Sequence, residues 1–363
     1  MGRALPSIGT LLAETVRLGA SDLHLKVGVP PMMRVHGELR ASDYPVLAAE
    51  DTEQYLAELL PERLRVEFKE THEADFAVAD PGAGRVRVNA FLQRGLVSVA
   101  LRPVPPPGQT FADLGLPPVL SRLVQEPRGL ILVTGPTGCG KSTTLAAMLD
   151  TINRTRRVNV VTIEDPIEVV HRDNLSLIHQ REVGEDTGGF AEALRRVLRQ
   201  DPDVILIGEM RDRATIEAAL KAAETGHLVL STLHTLDAAE TISRILDFFP
   251  GTLQRQVRLL LAGTLRGIIS QRLLPRADGA GRVVAAEVLI NTERVAERIT
   301  DPATTAEIPD VIAEGSYYGM ESFDQAILRL FAAGAVSFPE ALRHATKPAD
   351  LRLRAQQQGL IAT

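Results

Sequence analysis

The stretch ILVTGPTGCGKSTT, residues 131–144, decides the fold of this chain. Its aliphatic residues predict the end of a buried strand, its glycines predict a tight turn, and the lysine followed by hydroxyl residues predicts the start of a helix. The spacing fits the pattern G-x-x-x-x-G-K-[ST], from Gly135 to Ser142. Such a loop turns backbone N–H groups inward around phosphate oxygens, and the following helix adds the positive end of its dipole.

This loop predicts a bound nucleoside triphosphate with its metal ion. Lys141 is expected to reach the β and γ phosphates, and the Ser142 hydroxyl to bind Mg²⁺. We therefore predict ATP and Mg²⁺ as cofactors. Cys139 is interpreted as a small filler residue, because no base that could activate its thiol lies nearby in the sequence. The predicted ATP-binding residues of the loop are Gly135, Pro136, Thr137, Gly138, Cys139, Gly140, Lys141, Ser142 and Thr143.

Composition limits the remaining classes of function. The chain has 363 residues, of which 45% are hydrophobic, and at about 150 residues per domain it is expected to form two domains. Its net charge of −6 disfavours nucleic acid as a partner. A single cysteine excludes an internal disulfide. Arg258 and Arg266 interrupt the longest apolar stretch, so we expect no transmembrane segment and a cytoplasmic location.

Prolines divide the chain. The stretch RPVPPPGQT at 102–110 permits neither a helix nor a central strand, so we predict a linker over residues 104–117. It would join an N-terminal domain at 1–103 to a larger domain at 118–363. In the first domain a helical pattern is followed by short alternating stretches such as RVRVNAFLQ and LVSVALRPV. These predict a small α+β domain with a mostly antiparallel sheet.

The second domain has a different pattern, in which long apolar strands alternate with helices. The strands are LILVTG, VNVVTIED, DVILIGEM and HLVLSTLH. Strands without polar alternation are buried on both faces, so we predict an α/β fold with a parallel sheet. From about residue 250 the chain is expected to be helical, including TLQRQVRLLLAGTLRGIISQRLL, with GRVVAAEVLI as a strand.

Acidic residues follow two of these strands. DVILIGE ends in Gly208-Glu209, where P-loop enzymes usually have an aspartate that holds Mg²⁺. Glu209 is therefore predicted to be catalytic, as the residue that orients the attacking water. Another acid must then organise the metal, and Glu164 at the end of a neighbouring strand is the candidate, acting on Mg²⁺ through water. Asp165 and Glu168 are equally well explained as solvated acids.

Two histidines flank the strand HLVLSTLH. At about 3.3 Å per residue they lie about 23 Å apart, so His227 and His234 cannot share a metal ion. His234, at the carboxyl end, is predicted to sense the γ-phosphate through an imidazole N–H. His227, at the opposite end, is interpreted from geometry alone as a structural or interface residue.

Nearly the whole chain resembles the secretion-superfamily ATPases, and most closely the family of type IV pilus retraction ATPases of twitching motility. That family's Asp box is matched by TIEDPIEVVH, its atypical Walker B motif by LRQDPDVILIGEMRD, and its His box by TGHLVLSTLHT. The Gly-Glu pair of the Walker B motif is the same in that family. The other matching stretches are GASDLHL, VGVPPMMRVHGEL, RVRVNAF, GPTGCGKSTT, GMESFDQAI and EALRHA.

The resemblance implies a PAS-like N-terminal domain joined to a RecA-like P-loop ATPase core, and a homohexameric ring. It implies that ATP hydrolysis drives pilus retraction by pilin disassembly, at the cytoplasmic face of the inner membrane against the pilus platform protein. Within the family pattern, Arg87, Arg102 and His227 are implied to contact ATP. Motif roles are also implied for Glu164, Glu209 and His234.

Other functions stay open at this point. A pilus assembly or type II secretion ATPase would share the core chemistry, although such proteins resemble longer chains with a four-cysteine zinc site. A RecA-like nucleic-acid motor would need a basic channel, which the net charge of −6 disfavours. The segment NTERVAERITDPA at 291–303 stands where retraction ATPases often have AIRNLIRE. An accessory relative of the principal motor is therefore a further alternative.

Overall fold

The computed structural model describes residues 5–35, 37–104, 108–279 and 281–362. Contacts divide the chain into two compact units, the first formed by the residues before about 107 together with Glu168–Val170, and the second by the rest. Residues 105–107 of the predicted linker lie outside the described residues. Within that linker, Phe111 and Leu116 are buried in the core of the second unit, so the chain from residue 111 belongs to that unit.

The first unit is an antiparallel sheet with helices packed against it. Its elements are α1 (Ile8–Arg17), β1 (Asp22–Lys26), β2 (Met32–Val35), β3 (Glu38–Ala41), α2 (Ala49–Leu59), α3 (Arg65–Thr71), β4 (Glu73–Asp80), β5 (Gly84–Gln93) and β6 (Leu96–Pro103). Among the described residues the strand order is β3-β2-β1-β6-β5-β4, and all pairings are antiparallel. Alternate residues such as Val86 and Val88 face the core, which confirms the predicted alternation.

The second unit is built on a mostly parallel sheet. Its strands are β7 (Gly129–Thr134), β8 (Asn159–Glu164), β9 (Leu177–Glu182), β10 (Val204–Ile207), β11 (Leu228–Leu233), β12 (Leu265–Pro275) and β13 (Arg282–Ile290). Over the described residues their order is β13-β12-β7-β11-β10-β8-β9, and only β12 and β13 are antiparallel. The sheet confirms the predicted α/β class. It brings the carboxyl ends of β7, β11, β10 and β8 to one edge.

Helices cover both faces of this sheet. They are α4 (Leu120–Leu123), α5 (Lys141–Thr155), α6 (Phe190–Val197), α7 (Arg213–Glu224), α8 (Ala238–Asp247), α9 (Gly251–Thr264), α10 (Glu293–Thr300), α11 (Ile308–Glu314), α12 (Phe323–Ala332), α13 (Phe338–His344) and α14 (Pro348–Gln357). The helices α4 and α5 pack on one face and α6 to α11 on the other, while α12 to α14 form a smaller core against β12 and β13. None of the helices in the described ranges is long and apolar enough to cross a membrane.

Two elements differ from the sequence-based expectation. The helix predicted over 252–274 was wrong in its second half, because α9 ends at Thr264 and the chain enters the sheet as β12. A fully buried strand and a buried helix have the same apolar composition, so the sequence pattern does not separate them. Within β12, Gly267 lets β13 approach closely, since a Cβ there would lie 3.0 Å from the carbonyl oxygen of Leu289. The edge strand β9 was not predicted, because its sequence LIHQRE is polar.

Candidate active site

The loop after β7 needs glycine at its first position. Gly135 has a φ of +138°, and a Cβ there would lie 2.6 Å from both the Cys139 Sγ atom and the Gln271 carbonyl oxygen. Gly138 and Gly140 also have positive φ angles of +79° and +97°, but open space surrounds both. The loop is therefore closed against β12 on its inner side, while its outer backbone is free of neighbouring side chains. An anion can approach that backbone closely.

Lys141 folds back across the loop. Its Nζ atom donates to the carbonyl oxygens of Gly135 at 2.8 Å and Pro136 at 3.1 Å, and the residue is 8% exposed. Ser142 and Thr143 are exposed in the first turn of α5, next to Lys141. The ammonium group of Lys141, the two hydroxyls and the helix N-terminus thus lie together, an arrangement that suits a phosphate group.

Cys139 is a buried part of this loop. Burial raises the pKa of its thiol, although the nearby Lys141 ammonium opposes that shift. The thiol is therefore protonated at neutral pH and is a poor nucleophile. This agrees with its interpretation as a small filler residue that packs inside the turn.

Glu209 and His234 are brought together at the carboxyl edge of the sheet. Glu209 follows β10 and His234 follows β11, and these strands are parallel neighbours. The His234 Nε2 atom lies 3.3 Å from the Glu209 Oε2 atom, and the Arg211 Nε atom contacts the other Glu209 oxygen. Because β11 also pairs with β7, the histidine lies between the acid and the phosphate-binding loop.

The charge state of His234 follows from its neighbours. Desolvation lowers the pKa of His234, and the positive charges of Lys141 and Arg211 lower it further. The imidazole is therefore neutral at pH 7, and its contact with the Glu209 carboxylate requires the proton on Nε2. A neutral imidazole at this place can hold the carboxylate in position and exchange that hydrogen bond for one to a phosphate oxygen.

Glu164 lies next to the position where the usual metal-binding aspartate is missing. In the parallel pairing of β8 and β10, Ile163 is opposite Ile207, which places Glu164 beside Gly208. A Cβ at Gly208 would be 3.4 Å from the Glu164 Cα atom. The Glu164 Oε1 atom accepts hydrogen bonds from Thr162 at 2.6 Å and Gln180 at 3.1 Å.

Ser142 and Glu164 fit a Mg²⁺ ion that is held mainly by phosphate and water. Hydroxyl and carboxylate oxygens are the hard ligands that Mg²⁺ prefers. Strand β8 is three places from β7 in the sheet, or about 14 Å at the usual strand spacing, which agrees with a role for Glu164 through water and not as a direct ligand. In the described part of the chain no group of three His, Cys, Asp or Glu residues could hold a metal by itself.

His227 does not join this group within one chain. It precedes β11 at the amino edge of the sheet, where its carbonyl accepts from the Gly129 N–H at 3.0 Å. Its Nδ1 atom lies 2.9 Å from the Ala222 carbonyl oxygen, which fixes the ring against the end of α7. The implied contact with ATP is thus not supported within a chain, because β7 and β11 run in parallel and the loop follows the other end of β7.

Arg87 and Arg102 lie in the first unit. They are directly opposite each other on β5 and β6, so their side chains share one face of the sheet. Arg102 donates to the Asp22 carboxylate at 2.8 Å. Burial raises the pKa of Asp22, but hydrogen bonds from Ser21 and Arg102 outweigh it and lower that pKa overall. A phosphate contact by Arg102 would have to compete with this ion pair.

Three residues that touch the candidate acids Glu209 and Glu164 were not identified from the sequence. Arg211 contacts Glu209, and Thr162 and Gln180 contact Glu164. Thr162 lies two residues before Glu164 on the same strand, so the period of two in a strand could have indicated it. Gln180 lies on the strand that the sequence did not reveal.

Comparison with known proteins gives the family. Residues 96–326 match the model of the family described as "Type II/IV secretion system protein". The chain belongs to this family of secretion ATPases. It is 46% identical over 341 residues to the "Type IV pilus retractation ATPase PilT" of Pseudomonas aeruginosa, covering 94% of this chain and 98% of that protein. It is 41% identical to the "Type IV pilus ATPase PilU" of the same organism, with 94% and 90% covered.

Solved structures agree with the fold. A structure of the "Pilus Retraction Motor PilT and Bound ADP" superposes with a TM-score of 0.88 at 44% identity, covering 96% of this chain and 100% of that one. The ATPase DotB of Legionella pneumophila superposes with a TM-score of 0.75 at 28% identity, covering 94% and 96%. The RecA-like core with an N-terminal domain is thereby confirmed. Together with the phosphate-binding loop, it makes this protein a P-loop ATPase that binds nucleotide.

Proposed function

We propose that this protein is the motor that couples ATP hydrolysis to the retraction of a type IV pilus. The observation that carries the proposal is the 46% identity to a pilus retraction ATPase over 94% of this chain and 98% of that relative. The ADP-bound retraction motor of TM-score 0.88 supports the same function. Retraction would remove pilin subunits from the base of the fibre and pull the cell forward.

The proposed chemistry assigns a role to each part of the site. Lys141 exchanges its bonds to loop carbonyls for the β and γ phosphates, which offer charged acceptors. Glu209 orients the attacking water, and His234 holds Glu209 until the γ-phosphate competes for its imidazole N–H. Bound at Ser142, with Glu164 acting through water, Mg²⁺ would neutralise charge on the phosphates.

The proposed working assembly is a homohexamer. The family resemblance implies a ring, and we propose that Arg87, Arg102 and His227 lie at its contacts between chains. Light scattering in the presence of ADP should report a mass near six times the chain mass of 39.3 kDa. A monomer with full ATPase activity would rule out the ring. We place the hexamer at the cytoplasmic side of the inner membrane, against the platform protein of the pilus.

Two related functions compete with retraction. The type II secretion protein E of Pseudomonas aeruginosa is 37% identical over 74% of this chain, and the chain covers 53% of it. This is a weaker match than the one to the retraction ATPase. The alternative of an accessory motor rests on the altered segment, which forms α10 and its flanks.

A deletion strain tests the direction of work. Cells that lack this protein should still display surface pili, but should not spread by twitching, because fibres are made and not withdrawn. Cells without pili would show that the motor assembles them. Piliated cells that still twitch would identify an accessory motor, so counting pili by electron microscopy alongside the spreading assay separates all three functions.

A further inference from the structure

The edge strand β9 contributes a side chain to the site beside Gly208. In the parallel pairing of β8 and β9, Thr162 is opposite Gln180. Residues two apart on a strand share a face, so Thr162, Glu164 and Gln180 lie on the same face of the sheet. Both neighbours donate to the same Glu164 oxygen, at 2.6 Å and 3.1 Å.

The orientation of the Gln180 amide is fixed from its other side. The backbone N–H of His171 donates to the Gln180 Oε1 atom at 2.8 Å. A backbone N–H can only donate, so the oxygen of the amide must face His171 and its NH₂ group must face Glu164. The amide therefore connects the loop at His171 to the carboxylate, and its donor and acceptor cannot be exchanged without losing both hydrogen bonds.

We propose that Gln180 is a positioning residue, which holds the Glu164 carboxylate at the end of β8 in the place left by the missing aspartate. A glutamate side chain has several rotamers, so a Glu164 without these hydrogen bonds would sample several positions. Two donors on one oxygen, the Thr162 hydroxyl and the Gln180 amide, remove that freedom. This inference rests on the proposed function in one respect only, namely that the Glu164 carboxylate acts on Mg²⁺ during ATP hydrolysis.

Two variants of one residue separate positioning from packing. Gln180→Glu keeps the size of the side chain and an oxygen for the His171 N–H, but it replaces the donor to Glu164 by a second carboxylate. Gln180→Leu removes the donor without adding charge. If Gln180 only fills space, the isosteric glutamate is the milder change; if it positions Glu164, the glutamate is the more harmful one, because like charges repel at this distance. Gln256→Glu, exposed on α9, is the matched control for the added charge.

The first readout is binding and needs no hydrolysis. The affinity of the full-length protein for a slowly hydrolysed ATP analogue is measured with and without Mg²⁺. The ratio of the two affinities is the gain in nucleotide affinity that Mg²⁺ provides. Loss of an outer partner of a metal site typically costs about tenfold in metal affinity. We expect Gln180→Glu to reduce this gain about tenfold and Gln180→Leu to reduce it less, with affinity in the absence of Mg²⁺ unchanged.

The second readout is the split between kcat and KM. Both variants should lower kcat for ATP and raise KM, with Gln180→Glu the more affected and KM rising in step with the loss of Mg²⁺-dependent affinity, while the thermal unfolding midpoint stays within about 3 °C of the wild type. The inference is overturned if folded variants keep the wild-type Mg²⁺ gain, or if Gln180→Leu is the more harmful change. A wild-type protein without ATPase activity would refute the proposed function, and the binding readout would still decide the role of Gln180.

Discussion

At the scale of single residues, the proposed chemistry depends on one acid that touches a neutral histidine. Glu209 is held by His234 and Arg211, and both of these residues lie outside the phosphate-binding loop. Removing its charge should therefore leave the phosphate site intact. The two functions of the site, binding and hydrolysis, become separable at this residue.

We predict that Glu209→Gln binds Mg·ATP like the wild type but hydrolyses it at least about 100-fold more slowly, because a general base or water-orienting group contributes about 10²–10⁴-fold. Fluorescent-nucleotide titration and a phosphate-release assay measure the two effects. Glu224→Gln, an exposed acid at the end of α7, should change neither. A folded Glu209→Gln protein that fails to bind nucleotide would contradict the role assigned to Glu209.

A second acid gives a prediction about pH. Glu287 is 8% exposed on β13 and accepts from the Ala238 N–H, the first residue of α8, at 2.9 Å. Burial raises its pKa from 4.5 to about 7, against the opposing effects of the Ala238 N–H and Arg272. The unfolded chain releases this proton at lower pH than the folded one. Glu287 therefore lowers the free energy of unfolding as pH rises from 4.5 to about 7.

Glu287→Gln should remove this dependence, because an amide oxygen still accepts from Ala238 but carries no charge. At about 1.4 kcal/mol per pH unit, the variant should gain about 2–3 kcal/mol over the wild type between pH 5 and pH 8. Urea unfolding at both pH values measures the difference. Equal pH dependence in variant and wild type would show that Glu287 is ionised throughout this range in the folded protein.

At the scale of elements, the connection between β12 and the phosphate-binding loop is decisive. The Gln271 carbonyl oxygen lies 2.6 Å from where a Cβ of Gly135 would be, and Gln271 Nε2 donates to Thr144 of α5 at 2.7 Å. Thr134 and Ser270 share a further buried hydrogen bond of 2.9 Å. The loop is thus supported from behind by a strand that follows it by 130 residues.

Gly135→Ala should lose nucleotide binding and about 1–3 kcal/mol of unfolding free energy through overpacking. Gly138→Ala is the matched comparison, because its backbone is also left-handed but open space surrounds it. We expect it to cost only about 1 kcal/mol. Thermal unfolding measures the stability of the two variants, and nucleotide titration measures their affinity. Equal losses of stability in both variants would show that β12 does not constrain the loop.

The same elements show what the sequence could and could not predict. The strand at β7, the glycines and Lys141 form a local pattern, so the loop could be predicted from the sequence, but its support by β12 could not. The acid at Glu164 was predictable from its place at a strand end, but its neighbour Gln180 was not, because LIHQRE has no strand period. The strand β12 was missed because burial on both faces removes the difference between helix and strand.

At the scale of the whole molecule, the central claim is that hydrolysis at this site withdraws pili. Each of the two units has its own core, and in the proposed ring we expect the work to come from rigid-body rotation of such units. The chemistry of ATP hydrolysis at this site would be the same in a motor that assembles pili and in one that retracts them. The direction of work must therefore be read from the fibre itself.

The most direct measurement is fluorescence imaging of labelled pili on live cells in which the chromosomal copy is replaced by Glu209→Gln. We predict that pili extend as in wild-type cells and then fail to shorten, because the motor binds ATP without turning it over. Glu224→Gln cells should extend and retract normally. Pili that never extend in the Glu209→Gln strain, or that retract at the wild-type rate, would contradict the account.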